Sequence, residues 1–301
     1  MSKEMILFIQ QLINGLRVGS IYALVALGYT MVYGIIRLIN FAHGDFIMVG
    51  GYTLLFTMPI MKLLGVPLWL SLIFAIMGCV LVGVLVEQIA YKPVRKASSI
   101  SALITAISVS LFIENLALLV IGSAPKSIPK LFKVPRIKIE SLKLNLDGNA
   151  LVIICIGLVV MILLTLIVEK TQAGKAMRAV SEDPQAAILM GINVNKTITK
   201  TFALGSGLAA VAALMYSNSY PQLTPFLGAM LGLKAFVAAV LGGIGIIPGA
   251  MLGGMIIGFV ETMTKAYISS NYADAVVFGI LIVVLLIKPS GILGKNVGEK
   301  V

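Results

Sequence analysis

The stretch LINFAHGDFIMVGG, residues 38–51, holds the only histidine of the chain, His43, together with Asn40 and Asp45. Imidazole and carboxylate groups can act as general bases or as metal ligands. Both roles need partners, because a metal site takes several ligands and a nucleophile needs an adjacent base. His43 has no second ligand or nucleophile at a useful spacing. We therefore expect no metal site, no catalytic residue and no enzyme activity.

The same stretch separates two runs, residues 18–36 and 46–61, that contain no Asp, Glu, Lys or Arg. Almost no room is left for a loop, so we expect a tight break between two helices, either a turn at the surface or a broken helix inside a bilayer. Irregular backbone inside a bilayer persists only where protein buries it or where it lines a water-filled cavity. Asp45 follows Gly44 as an expected N-cap, and His43 is expected to donate to a backbone carbonyl. Two hypotheses remain for Asn40, His43 and Asp45: they hold the break, or they line a substrate path.

Two acidic residues fall inside apolar runs, Glu114 in SLFIENLALL and Glu261 in GFVETMTK. A carboxylate in lipid is costly, so such residues usually face the interior of a helix bundle. Glu261 is followed four residues later by Lys265, which predicts a structural helical pair. Glu114 has only Asn115 beside it and no basic residue within a helical turn. We therefore take Glu114 and Asn115 as candidates for a substrate path or for contact with a partner subunit.

Residues 169–196 form a polar segment, EKTQAGKAMRAVSEDPQAAILMGINVNK, between two apolar runs. The pattern predicts a short amphipathic helix that breaks at Pro184 and restarts through residues 186–190 until Gly191, where glycine supplies the left-handed termination. A small-residue face that ends in glycine suits a helix seated in a cleft of another protein. The alternative is a solvated surface helix. The candidate docking residues are Arg178, Glu182, Pro184, Ala187 and Gly191.

Composition shows what positions these residues. The chain has 301 residues, is 59% hydrophobic and only 12% charged, and has a mean hydropathy of +1.05, whereas soluble domains are about a quarter charged. A membrane-spanning helix needs about 20 mostly apolar residues. The apolar runs are continuous and do not alternate as barrel strands do. We predict an all-α, polytopic membrane helix bundle with broken helices, a single transmembrane domain over residues 1–301 with eight or nine spans. The spans are expected near 15–36, 44–63, 67–90, 99–121, 150–168, 198–218, 232–247, 249–268 and 273–289.

Glycines spaced by four predict close approach of helix backbones in lipid. Such pairs are Gly15/Gly19, Gly228/Gly232, Gly249/Gly253 and Gly254/Gly258. The stretch GGIGIIPGAMLGG, residues 242–254, is a glycine-marked interruption with Pro248-Gly249 where the first interruption has His43-Gly44. Paired interruptions in corresponding halves indicate a site at the bilayer midplane.

Residues 122–149 are basic and then alternate between apolar and polar, which predicts a small β-ribbon at the membrane surface. The apolar positions are Ile137, Ile139, Leu142, Leu144 and Leu146. Basic residues beside spans normally mark the cytoplasmic side. The segments 91–99 and 169–200 carry eight basic residues and 122–149 carries six, so charge alone does not decide the orientation or place the N-terminus. Three lysines after the last span favour a cytoplasmic C-terminus: Lys288, Lys295 and Lys300.

Three stretches carry a family resemblance: NGLRVGSIYALVALGYTMVYGIIRLINFAHGDFIMVGGY, the polar segment above, and AVLGGIGIIPGAMLGGMIIG. They resemble the permeases of branched-chain amino acid ABC importers, most closely the LivH type, over residues 15–291. The resemblance implies a multi-pass protein of the bacterial cytoplasmic (inner) membrane that moves leucine, isoleucine and valine. It also implies a second homologous permease subunit, two ATPase subunits that bind ATP and Mg, and an extracytoplasmic substrate-binding protein. No cofactor is expected in this chain, and its net charge of +11 needs no nucleic acid partner.

The resemblance also sets the expected orientation. Residues 169–197 become a cytoplasmic coupling loop that sits in an ATPase groove, and 122–149 an extracytoplasmic loop. The basic residues of that loop would meet acidic residues of the binding protein, or they contact lipid headgroups. They are Lys126, Lys130, Lys133, Arg136, Lys138 and Lys143.

Two other functions remain open. One is a permease of a related ABC importer for another small solute (another amino acid, an amide or a sugar), because the binding protein mainly selects the cargo. The other is a stand-alone secondary transporter, in which Glu114 would serve ion coupling. The chain lacks the G-x-x-x-x-G-K-[ST] phosphate loop, so we expect it not to hydrolyse ATP itself. Only the importer explains a long, glycine-ended docking helix.

Overall fold

The computed structural model describes residues 3–95, 97–139 and 144–294. The sequence-based expectations for Lys96, Leu142, Lys143, Lys295 and Lys300 lie outside these described residues. Helices make up most of the described chain, as predicted for an all-α bundle. They are α1 (Lys3–Ile36), α2 (His43–Leu63), α3 (Ser71–Val86), α4 (Lys92–Val94), α5 (Ser99–Ile121), α6 (Gly148–Lys170), α7 (Gln172–Glu182), α8 (Pro184–Leu189), α9 (Val194–Ser219), α10 (Leu227–Gly242), α11 (Ile247–Tyr267) and α12 (Ala273–Ile287).

Eight helical segments of the described chain are long and apolar enough to cross a membrane. One of them, Leu68–Val94, joins a 3₁₀ turn, α3, a π-helical stretch at Glu87–Tyr91 and α4. The ninth apolar helix, α10, has only 16 residues. The prediction of eight or nine spans is therefore confirmed, and the short ninth helix explains why the sequence left the number open.

Small strands lie at one face of the bundle. β2 (Ile137–Ile139) pairs antiparallel with β3 (Leu144–Leu146), so that Ile137 lies opposite Leu146. This pair is the predicted ribbon. β1 (Lys126–Ser127) pairs with β4 (Gln222–Leu223), which leads into α10.

The two ends of α1 identify the two faces of the bundle. Near its start, Gln10 Nε2 donates to the Asn145 carbonyl at 3.4 Å and Arg17 forms an ion pair with Asp147 at 3.6 Å. Near its end, the Ser181 hydroxyl donates to the Gly34 carbonyl at 2.5 Å. We call the side that carries β2 and β3 the ribbon face and the side that carries α7 and α8 the elbow face. The start of α1, which charge could not place, therefore lies at the ribbon face.

The core of the bundle is built around two antiparallel helices, α1 and α9. α11 packs on α1 and α3 packs on α9, while α2 packs mainly on α9, α10 packs on α1, and α2 and α10 contact one another. The helices α9–α11 therefore pack in the same way as α1–α3 but run in the opposite direction across the bundle. This is the arrangement of an inverted repeat.

Glycines make the tightest of these contacts, as their spacing predicted. A Cβ added to Gly258 of α11 would lie 2.2 Å from the backbone nitrogen of Gly19 in α1, and one added to Gly254 would lie 2.4 Å from the Cα of Ala23. Backbones this close leave no room for side chains. Van der Waals packing between small residues therefore holds α1 against α11.

The prediction that Pro248-Gly249 forms the counterpart of the first break is wrong. Gly243 and Gly245 have φ of +108° and +93° and form a tight turn between α10 and α11. That turn lies at the elbow face, because Gly245 approaches Gly34 and Gly243 approaches Ser290. Pro248 occupies the first turn of α11, where its missing N–H costs nothing. The second helix start inside the bundle is instead that of α10.

Candidate functional site

The break at residues 37–42 turns back into the bundle. α1 ends at Ile36 and α2 begins at His43, yet the His43 ring lies beside Tyr29, with ring centroids 4.9 Å apart. Tyr29 precedes Ile36 by two helical turns, about 11 Å along the axis. The broken helix inside the bundle is therefore the correct alternative, and the surface turn is wrong.

α10 begins beside the start of α2 and runs the other way. A Cβ on Gly228 would lie 2.5 Å from Asp45 Oδ1, and one on Gly232 would lie 2.9 Å from the Cα of Gly44. α2 continues to the ribbon face and α10 to the elbow face. Two helix N-termini, each with a partial positive charge, thus meet inside the bundle, as in transporters built from discontinuous helices.

His43 packs tightly in this junction. The residue is 1% exposed, and its ring makes edge contacts with Tyr29 and Phe46. A Cβ on Gly28 would lie 2.1 Å from Nε2, and one on Gly205 of α9 would lie 3.7 Å from Cε1. Nε2 has no hydrogen-bond partner in the described chain, so this ring nitrogen does not make the donation to a carbonyl that was expected of His43. The geometry favours the hypothesis that His43 holds the break through ring packing.

Asn40 ties the break to the third span. Its side chain is buried, and Oδ1 accepts a hydrogen bond from the Tyr91 hydroxyl at 2.8 Å. Tyr91 ends the π-helical stretch, and such stretches often occur at functional sites. The first residue of that stretch, Glu87, is fully buried and contacts Arg95 and Thr199. Sequence reasoning missed Glu87, although it is an acidic residue inside a predicted span.

Asp45 and Glu114 meet across the α2–α5 interface. Asp45 is not the N-cap of α2, because Ala42 occupies that position without a side-chain bond and Asp45 lies in the first turn. Asp45 Oδ2 instead accepts a hydrogen bond from the Ser110 hydroxyl at 2.5 Å. Glu114 follows Ser110 by one helical turn, so it lies on the same side of α5 as the Ser110–Asp45 hydrogen bond, and both acids are buried. The structure therefore joins two candidates that the sequence considered separately.

Asn115 does not belong to this pair. Its side chain is exposed, and Nδ2 donates to the Leu111 carbonyl of its own helix at 2.7 Å. Adjacent helical residues point about 100° apart, so Glu114 and Asn115 cannot face the same partner.

Glu261 has more partners than the predicted helical pair. Lys265 Nζ lies 2.5 Å from Oε1, which confirms that pair, and Lys234 Nζ lies 2.8 Å from the same oxygen. The Tyr22 hydroxyl donates to Oε2 at 2.5 Å, and Lys234 also reaches Asp274 at 2.6 Å. This network ties α1, α10, α11 and α12 together. Sequence reasoning missed Lys234, which lies inside the predicted span 232–247.

The polar segment forms the predicted broken helix, α7 followed by α8. Asp183 caps α8 by accepting hydrogen bonds from the Gln185 and Ala186 amides at 2.8 and 3.1 Å, and Pro184 takes the first turn. Gly191 has φ +80°, which ends the segment in the left-handed conformation. We call the segment α7–Gly191 the elbow.

Four of the five candidate docking residues are exposed, and Ala187 is buried. Arg178 donates to the Val168 and Glu169 carbonyls and so caps α6, and Ala187 is only 3% exposed. Glu182, Pro184 and Gly191 are exposed. The largest exposed apolar surface of the elbow belongs to three residues that sequence reasoning did not select, although their apolar run in a polar loop was a signal: Ile188, Leu189 and Met190, at 60%, 88% and 82%.

Comparison with known proteins matches residues 11–286 to the family described as the permease component of branched-chain amino acid transport systems. The chain is 42% identical to the high-affinity branched-chain amino acid transport system permease protein LivH of Salmonella typhimurium, over all of both chains. It is 43% identical to the corresponding protein BraD of Pseudomonas aeruginosa, over 98% of each chain. It is 27% identical to the fructose import permease protein FrcC of Rhizobium meliloti, over 46% of this chain and 40% of that protein.

Proposed function

The chain belongs to the family of branched-chain amino acid transport permeases, and from this membership we propose how it works within an ATP-binding cassette importer. It is the membrane-spanning subunit that moves leucine, isoleucine and valine across the bacterial cytoplasmic membrane. The observation that carries this function is full-length identity above 40% to two named permeases of such systems. A bundle with eight helices able to span a membrane supports it.

We propose that the elbow couples the bundle to separate ATPase subunits. The chain has no phosphate loop, so ATP and Mg bind to those subunits and force must enter through a contact. The exposed apolar residues Ile188, Leu189 and Met190 are suited to a groove in a partner, since buried apolar area drives association. Ser181 connects the elbow directly to the end of α1, next to the break. On this proposal residues 169–197 are cytoplasmic.

The ribbon face is then extracytoplasmic. Four basic residues of its loop are exposed among the described positions: Lys126, Lys133, Arg136 and Lys138. We propose that they meet acidic residues of a substrate-binding protein, while the lipid-headgroup alternative remains for experiment. A second homologous permease completes the translocation path.

Reconstitution tests this function. The chain is purified in proteoliposomes with a second permease, two ATPases and a binding protein from one such system, and uptake of labelled leucine is measured. We expect uptake that requires ATP and every subunit. Leucine uptake by this chain alone, driven by an ion gradient, would show a secondary transporter instead.

The partial likeness to a fructose import permease supports one alternative, a related importer with another cargo. The same proteoliposomes separate the two, because a binding protein loaded with a sugar should not support uptake. ATP-driven uptake of a sugar in preference to leucine would show that the cargo is a sugar. The proposed importer mechanism would be unchanged.

A further inference from the structure

Asp45 and Glu114 form a buried acidic pair without a cation. They are 0% and 5% exposed, and neither takes part in a salt bridge within the described chain. Asp45 Oδ1 and Glu114 Oε1 receive no hydrogen bond from any described donor. Carboxyl groups inside a membrane protein normally pair with a basic group or with donors. This pair therefore lacks hydrogen-bond donors within the described chain, and another molecule could supply them.

An apolar cleft of about 560 Å³ lies beside the pair, between α2, α3 and α5. Its lining reaches to within one helical turn of each acid on the same helix face, at Val49 of α2, four residues after Asp45, and at Ala117 of α5, three residues after Glu114. Its volume lies within the range of small-molecule sites, roughly 300–1,000 Å³. Its lining suits an aliphatic group.

Tyr52 gives an independent indication of a polar ligand in this cleft. It lines the cleft and is 4% exposed, yet its hydroxyl has no partner in the described chain. Tyr52 follows Asp45 by two helical turns, so both residues lie on the same side of α2. A buried hydroxyl without a partner is costly in an apolar site. The cleft thus has an unused hydrogen-bonding group in addition to the acids.

We propose that the Asp45–Glu114 pair and this cleft form a subsite for the amino acid in transit. The substrate ammonium donates hydrogen bonds to the two carboxyl groups, and the branched side chain lies in the apolar cleft. Two acids select a cation over a carboxylate, and the apolar lining selects an aliphatic cation over an inorganic one. The inference rests on the proposed function, because it takes the cargo from it.

Saturation-transfer difference NMR tests the subsite directly, since it detects weak ligands. The assembled importer is placed in nanodiscs without its binding protein and is given leucine, 3-methylbutylamine (leucine without its carboxylate) or 4-methylpentanoate (leucine without its ammonium). We expect signals from the first two ligands and little from the third. In Glu114→Gln or Asp45→Asn, the affinities for leucine and 3-methylbutylamine should fall by about tenfold, because a charge-assisted hydrogen bond is lost. Asn115→Leu is the matched control and should change nothing.

Equal signals from 4-methylpentanoate and 3-methylbutylamine would overturn the subsite, because they would show that the cleft takes any apolar chain, including a lipid tail. Signals that survive both Glu114→Gln and Asp45→Asn would also overturn it. The comparison of the three ligands on the unaltered importer tests the subsite even if a variant fails to assemble. The proposed function is judged separately by ATP-driven leucine uptake, so an importer that transports leucine but shows no preference for the amine refutes the subsite alone.

Discussion

The α-carbon of Gly28 in α1 lies directly against the imidazole of His43 at the start of α2. A Cβ at position 28 would come within 2.1 Å of Nε2, closer than real contacts allow. The absence of a side chain at Gly28 therefore lets the His43 ring pack against α1. This contact sets the depth inside the bundle at which α2 begins. This contact explains why the chain has its one histidine between two apolar runs.

Gly28→Ala should destabilise the assembled permease by about 1–3 kcal/mol, the usual cost of overpacking a core. The thermal unfolding midpoint of the purified protein measures this. Gly279→Ala is the matched control, because a Cβ there meets nothing within 4 Å. The double variant Gly28→Ala with His43→Ala should recover part of the loss. If the two substitutions simply add, the contact does not set the depth of α2.

Lys234→Met should lower the thermal midpoint strongly, because removal of one partner of a buried ion pair costs about 3–5 kcal/mol. Lys265→Met is the natural comparison. Lys265 pairs with the same carboxylate but its side chain is 44% exposed, so its loss should cost about 1 kcal/mol or less. Adding Glu261→Gln to Lys234→Met should restore part of the stability, since the buried carboxylate that has lost its Lys234 partner is then replaced by a neutral amide. Equal effects of the two lysine substitutions would contradict the network.

Leu189→Asp should reduce the amount of ATPase that co-purifies with the permease and should abolish ATP-driven uptake. The reason is that a charge replaces an apolar side chain that is 88% exposed on the elbow. Membrane insertion should be unchanged, because the substitution lies outside the spans. Gln185→Asp places the same charge on an exposed residue of α8 and serves as the control. Normal ATPase recovery with Leu189→Asp would remove this residue from the docking surface.

Gly191→Leu should also disrupt coupling, for a backbone reason. Gly191 has φ +80°, a conformation that costs side-chain-bearing residues about 1–2 kcal/mol. Space is not the limit, since a Cβ there meets nothing within 4 Å. Gly191→Asn should therefore retain most of the uptake rate, because asparagine tolerates this region best. Indistinguishable rates for the two variants would show that the left-handed ending is not required.

Replacing the four exposed basic residues of the ribbon face with glutamine should weaken stimulation of ATPase activity by the binding protein. It should also flatten the dependence of that stimulation on salt, because screening acts on exposed charges. The four are Lys126, Lys133, Arg136 and Lys138. Lys62→Gln, at the end of α2, is the single-charge control. Unchanged stimulation and an unchanged salt slope would favour contact with lipid headgroups.

Local features of the chain were predictable because each depends on neighbours in sequence. Pro184 and Gly191 mark the break and the end of the elbow, and both act through their own backbone dihedrals. The ribbon follows from alternation at Ile137 and Leu146. The Glu261–Lys265 pair follows from the pitch of one helix.

Contacts between helices were predicted less well. Asp45 was expected to cap its own helix, but its side chain instead accepts a hydrogen bond from Ser110 of α5, on the side of α5 that also carries Glu114. Lys234 was overlooked, because its two acidic partners lie on other helices. Ala187 was taken as a docking residue, yet packing buries it and exposes Leu189 instead.

The sequence by itself determined the class of protein, the spans, the elbow and the family, because hydropathy, helix period and turn residues are properties of short segments. Only the tertiary structure decided that α2 starts inside the bundle against Gly28, that α10 starts beside it, and that two distant carboxyl groups meet at an apolar cleft. Those relationships depend on the depth and angle at which helices pack. Depth and angle come from the sum of many small-residue contacts, and no single stretch of sequence contains them.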